Sequence, residues 1–295
     1  MNSFYPVHPN LIDHVLPAEH QGYPAELAAG DTRDVLKDVC GDASRDFPSS
    51  LWIEPSDWPE KARENDKNGT WPMDFLDRFT NQNPTHECTC HALRACFESA
   101  RNRARGVSYG GPVADVRNDK SSKFGSVWVS PLSVYAEANP RQWGGASVRG
   151  VLSIAMRRGM LPETKQPADY GFKHAIHGTC GEGGVNQASG RWLSVGNFPD
   201  GWEETAAKFK AFEVIFPESW EQIVCLVLHG YAVGVGRSGH AIPYGKWMAA
   251  DNVMAYTDSY DVVRYDSRRM IQSAVGGAYA IASVTTPDDW SKPAE

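Results

Sequence analysis

The feature that most constrains the fold is a change of hydrophobic period part-way along the chain. Through residue 190 the strong apolar patterns recur at helical spacing, whereas from Tyr231 onward they read as strands. The first strong helix follows Thr89, taken as its cap, and carries Ala92, Leu93, Cys96, Phe97 and Ala100. Arg101 and Arg103 fall in its last turns, where cations suit the helix dipole. A second helix has Ser130 as cap and Pro131 at the first helical position. A third is capped by Ser147, buries Val151, Leu152, Ala155 and Met156, and stops at Gly159 after Arg157 and Arg158. Ser219-Trp220-Glu221-Gln222 is a capping box that opens an apolar run from Ile223 to Leu228, closed by Gly230. Strands are then expected over Tyr231 to Val235, Ala241 to Tyr244, Ala255 to Tyr260 and, after Gly276-Gly277, Ala278 to Val284. Helices first and strands second imply an α+β protein with two segregated halves. Pro243 lies inside one of these strands and has no N–H for a ladder, which predicts an edge position or a bulge there.

The chain's 295 residues suit one large domain or two modest ones. Lys and Arg number 29 against 36 Asp and Glu, a net charge of −7, so no basic field is available to hold nucleic acid. Ten Trp and 41% hydrophobic residues imply a packed interior and exclude wholesale disorder. The N-terminus has no basic region followed by an apolar one, so no classical secretory signal is read. The longest apolar stretch, Ile223 to Gly236, is interrupted by His229 and falls short of the ~20 residues that cross a bilayer. A soluble protein is expected, cytoplasmic or part of a virion or other large assembly, with no membrane partner. Six cysteines are too few for a disulfide scaffold and imply free thiols. Cys96 and Cys225 lie in apolar helical runs and are expected in the core; His8, His14, His20 and His229 are expected in solvent. Three segments follow: an accessory arm over 1–72, a helical half over 73–190 and a β-rich half over 191–295. The arm has a short helical candidate at Val35, Leu36 and Val39, and Trp52, Trp58 and Trp71 would wrap it onto the body.

One thiol stands out chemically. A cysteine in the first turn of a helix meets the positive end of the dipole and unpaired amide donors, which favours the nucleophilic thiolate. Cys90, directly after Thr89, occupies that place. Such a nucleophile needs a histidine, itself held by an amide or carboxylate. Gly239-His240-Ala241 supplies one at the entry of a strand, and Asp258 lies on the next strand, where an antiparallel neighbour brings it beside the ring.

The order Gln, Cys, His, then an acidic or amide residue followed by Ser and an aromatic, resembles the papain-like cysteine peptidases. Asn81-Gln82 resembles the segment with that family's oxyanion-hole glutamine, Cys90-His91-Ala92-Leu93 the nucleophile and helix start, and Gly239-His240-Ala241 the general-base strand. Asp258-Ser259-Tyr260 stands where the family shows Asn-Ser-Trp. Ser130-Pro131-Leu132 and Gly145 through Glu163 resemble the second and third helices of bacterial and viral members. Cys88 has the family's usual separation from Gln82 and is the alternative nucleophile; Cys90 is preferred because it puts Ala92, Leu93, Cys96 and Phe97 in the family's helical register.

The resemblance implies a papain-like fold whose helical half and antiparallel β-rich half flank a cleft. It implies hydrolysis of peptide bonds in a peptide or protein substrate, without a cofactor. Cys90 would attack, His240 would hold and return the proton, Asp258 would orient His240, and Gln82 would stabilise the oxyanion. Trp143-Gly144-Gly145 resembles the glycine wall that pairs with substrate backbone. A second reading keeps the fold as a structural or assembly subunit with eroded chemistry: Met1 is present and the arm lacks long amphipathic propeptide helices, so the arm is expected to project outward and contact protein neighbours. Zinc is a third reading, since His86, Cys88, Cys90 and His91 cluster and His174, His177 and Cys180 follow, although C-x-C-H lacks the knuckle spacing of a zinc site.

Overall fold

The computed structural model describes residues 32–75, 87–104, 128–138, 145–163, 185–186, 191–192, 198, 200–237, 239–259 and 262–285. Its helices are α1 (Arg33–Cys40), α2 (Trp58–Asn68), α3 (Cys88–Ala104), α4 (Pro131–Ala138), α5 (Val148–Arg157), α6 (Trp202–Ala206), α7 (Trp220–Leu228) and α8 (Arg268–Ala274). Its strands are β1 (Ser44–Asp46), β2 (Trp128–Val129), β3 (Pro162–Glu163), β4 (Val185–Asn186), β5 (Arg191–Trp192), β6 (Ala211–Phe216), β7 (Val233–Arg237), β8 (His240–Met248), β9 (Val253–Asp258), β10 (Val262–Ser267) and β11 (Ala278–Val284). Seven of them form one sheet in the order β1-β6-β11-β7-β8-β9-β10, antiparallel throughout except where β1 runs parallel to β6.

Side-chain alternation divides this sheet between two cores. Val214, Phe216, Ala241, Tyr279 and Ile281 pack with residues of α1, α3, α4 and α5. Their neighbours Ile215, Ile242, Ala278 and Ala280 point the other way and pack with α2, α7 and α8. Both faces are therefore buried, which is why β11 reads as a nearly continuous apolar stretch.

The caps form as their sequences direct. Ser147 Oγ accepts from the Gly150 N–H at 3.0 Å, and Ser219 Oγ accepts from the Gln222 N–H at 3.2 Å while Gln222 Oε1 accepts from the Glu218 N–H at 2.6 Å. Gly159 ends α5 in the left-handed region at φ +91°.

The described part of the N-terminal segment, residues 32–75, is integrated into the body. α1 packs on α5, β1 extends the sheet beside β6, and α2 packs on α7. Trp58 makes edge contacts with Trp220 and Trp247 at centroid distances of 5.4 and 5.5 Å. Trp71 is also buried, whereas Trp52 is 41% exposed. Residues 1–31, and with them His8, His14 and His20, lie outside the described residues.

Two expectations need correction. Of the two alternatives for Pro243, the edge is the one overturned: β8 is an internal strand, and its ladder to β9, which begins at Tyr244, carries a bulge-like irregularity between Tyr244 and Lys246. His229 is half-buried, not in solvent, because it sits at the end of α7 and burial pushes its pKa down. Cys96 and Cys225 are both buried.

Candidate active site

The local structure around the two neighbouring thiols decides which one can act. α3 begins at Cys88, two residues earlier than a Thr89 cap would place it. The Thr89 hydroxyl does not cap the helix; it donates to the Ala146 carbonyl at 2.7 Å and so ties the helix start to the lead-in of α5. The Glu87 carbonyl takes the first turn's amides instead, accepting from the Cys90 and His91 N–H groups at 2.9 and 3.0 Å.

Two positions on a helix are separated by about 200° around its axis, so Cys88 and Cys90 face nearly opposite ways. Both thiols are buried in one core cluster, and it is the Cys88 charge that acts on the His240 ring. The Cys90 thiol is driven far above the ordinary range by burial first, then by Glu87 and Cys88. Cys90 is the preferred nucleophile of the sequence, and the influences on the ring favour its alternative, Cys88. The Gln82-to-Cys88 separation points to Cys88; the signal that outweighs it includes Thr89, a good cap whose hydroxyl a tertiary contact claims.

His240 opens β8 and Asp258 closes β9, and β8 pairs with β9. His240 Nε2 lies 2.9 Å from Asp258 Oδ1. Burial alone would depress the imidazole, but the Cys88 charge, the bond to Asp258 and the bond to Cys88 outweigh it and raise its pKa to about 9. Burial pushes the Asp258 carboxyl up, and the bonds and charges of His240 and Arg264 overcome it to hold Asp258 below its usual range. Asp258 also accepts from Arg264 Nε at 2.7 Å on Oδ2 and from Ser259 Oγ at 3.4 Å on Oδ1. Arg264 was not picked out from the sequence. The result is a thiol at a helix start, a protonated imidazole and a carboxylate in sequence, all three groups buried.

Of the other expected site residues, Gly145 is buried in the lead-in to α5, next to the Ala146 carbonyl that binds Thr89. Gln82, Trp143 and Gly144 lie outside the described residues. So do His86, His174, His177 and Cys180; among the described residues, no group of three or more His, Cys, Asp or Glu side chains is placed to hold a metal ion. Among the described residues, too, no helix is long and apolar enough to cross a membrane.

No protein-family model and no curated protein matches the sequence. Solved structures do match by shape. The procathepsin L 3 of the Tenebrio molitor larval midgut superposes with a TM-score of 0.51 at 10% identity, covering 85% of this chain and 78% of that one. Xylellain, a cysteine protease from Xylella fastidiosa, gives 0.44 at 11% identity over 69% of this chain and 80% of its own. Procathepsin B S9 from Trypanosoma congolense gives 0.43 at 9% identity over 76% of each chain. The first of these carries the conclusion about architecture: the chain has the α+β fold of the papain-like cysteine proteases.

Proposed function

We propose that this protein is a cysteine peptidase in which Cys88 is the nucleophile, His240 the general acid and base, and Asp258 the residue that orients His240. The observation that carries this reading is the buried His240–Asp258 contact at 2.9 Å, on a ring that the Cys88 charge also acts on, with the three residues drawn from three separate elements. Chance packing of a free cysteine supplies no reason for an imidazole held in its protonated form beside it.

The chemistry follows from the geometry. Cys88 opens α3 and His240 is the base assigned to it. Cys88 Sγ bonds to the carbonyl carbon of the scissile peptide, and His240 gives its proton to the amide nitrogen as the C–N bond breaks. Water then attacks the resulting thioester, His240 takes the proton, and the C–S bond breaks to return the thiolate. The Cys88 backbone N–H, among the helix-start amides that have no intrahelical acceptor, is available to the oxyanion, with Gln82 as the second donor. Gly144 and Gly145 are assigned to the substrate backbone.

A thiol-directed epoxide or iodoacetamide, read by mass spectrometry alongside cleavage of a peptide library, tests this. Cys88→Ser should abolish both labelling of the site and cleavage, with a loss of about a thousandfold or more, while Cys90→Ser keeps both. Loss of activity in Cys90→Ser with retention in Cys88→Ser would reverse the assignment. Rapid labelling of Cys88 with no cleavage of any peptide would return the protein to the structural-subunit reading.

A further inference from the structure

Asp258 is a carboxylate closed off from solvent, and a buried anion needs more than one partner. His240 occupies one oxygen. The other is held by Arg264, whose Nε donates to Oδ2 at 2.7 Å from a side chain only 12% exposed. The β9–β10 ladder makes this contact: Asp258 pairs with Val262 and Tyr256 with Arg264, so Arg264 is the diagonal neighbour of Asp258 on the same face. With each oxygen bound by a different partner, the carboxylate plane is fixed and Oδ1 is aimed at the ring.

Charge gives a second reason. Arg264 is a cation against the same carboxylate that His240 binds, so its charge opposes a second positive charge on the ring. The other charged and titratable groups around it are otherwise committed: Arg237, the ladder partner of His240 on β7, grips Asp266 at 2.8 and 2.7 Å and donates to the Tyr256 hydroxyl at 3.0 Å, and Tyr244 donates to Asp266 at 2.7 Å. Glu87, which precedes Cys88, is a further buried acid, and its charge acts on the Cys90 thiol.

We infer that Arg264 is a positioning residue that fixes the Asp258 carboxylate and, through its charge, governs how tightly the His240 ring holds its proton. The inference rests on the reading of Cys88 and His240 as the working pair, and its test does not depend on cleavage.

The His240 ring titration, followed by NMR and assigned through its loss in His240→Gln, reads the charge balance directly. Removing a nearby cation makes the ring hold its proton more tightly. R264M should therefore raise the His240 midpoint by about one pH unit, while R264K, which keeps the charge, leaves it within about a third of a unit. An unmoved or lowered midpoint in R264M would overturn the inference. Should R264M fail to fold, D258N compared with D258N/R264M carries the same test: removing Arg264 there again raises the midpoint, and no rise overturns it. Titrations that move as expected in a protein that cleaves nothing would leave Arg264 its role and overturn the peptidase reading.

Discussion

Replacing His240 with glutamine should remove a pH dependence of stability whose sign and size the site dictates. His240 titrates at about 9 in the folded protein against 6.5 for an ordinary histidine. Its folded value is raised, so its contribution is fully present below 6.5 and is lost as pH rises through about 9. Between those values the native state keeps a proton that the unfolded chain has released, and stability falls by about 1.4 kcal/mol per pH unit. Over the whole window that amounts to about 3 kcal/mol, undiminished by solvent because the ring is fully buried. Asp258 acts at the other end: its carboxyl is held below its usual range, so its contribution is present above the unfolded value of 3.8 and is lost as pH falls through the folded one. Together the two place the stability maximum on the acid side of neutrality. Guanidinium unfolding at pH 6, 7, 8 and 9 measures this for wild type, His240→Gln and Cys88→Ser. The difference between wild type and His240→Gln should shrink by about 3 kcal/mol from pH 6 to pH 9, and Cys88→Ser should flatten the wild-type slope by removing the largest influence that raises the ring. Parallel profiles for wild type and His240→Gln across that range would refute the charged-imidazole account.

Trp58→Ala should detach the N-terminal segment from the body. It removes edge contacts to Trp220 and Trp247 and the bond from Trp58 Nε1 to the Ile53 carbonyl at 2.9 Å, at a cost of about 3–5 kcal/mol, and limited proteolysis should then cut within residues 32–75. Gly159→Ala should be among the most damaging single changes. A Cβ there would collide with the Ala206 carbonyl oxygen and lie 2.8 Å from that of Phe209, at φ +91°, so loss of soluble protein or a fall in stability of about 3 kcal/mol or more is expected in a melting experiment.

Much of this arrangement is determined by local sequence, because caps, turns and periodicity act over a few residues. Ser147 and Ser219 open their helices where their side chains direct, Gly159 closes one, and the β-rich half announces itself by short apolar runs. The pairing of His240 with Asp258 was also readable, since adjacent antiparallel strands place the start of one near the end of the next. Other elements were not legible. α2, with its polar sequence WPEKARENDKN, is held by Trp58 against α7 and has no strong stripe of its own, and β6 becomes a strand through ladders to β1 and β11 that lie far away in sequence. The choice between Cys88 and Cys90 belonged to tertiary structure as well. Thr89 has the chemistry of a cap, but its hydroxyl is taken by Ala146, 57 residues on, and the helix starts earlier, at Cys88, the thiol whose charge acts on His240. Arg264 makes the same point at the other end of the site. Nothing local marks it, because a carboxylate's second partner is selected by strand register, and register is settled only when the strands pair.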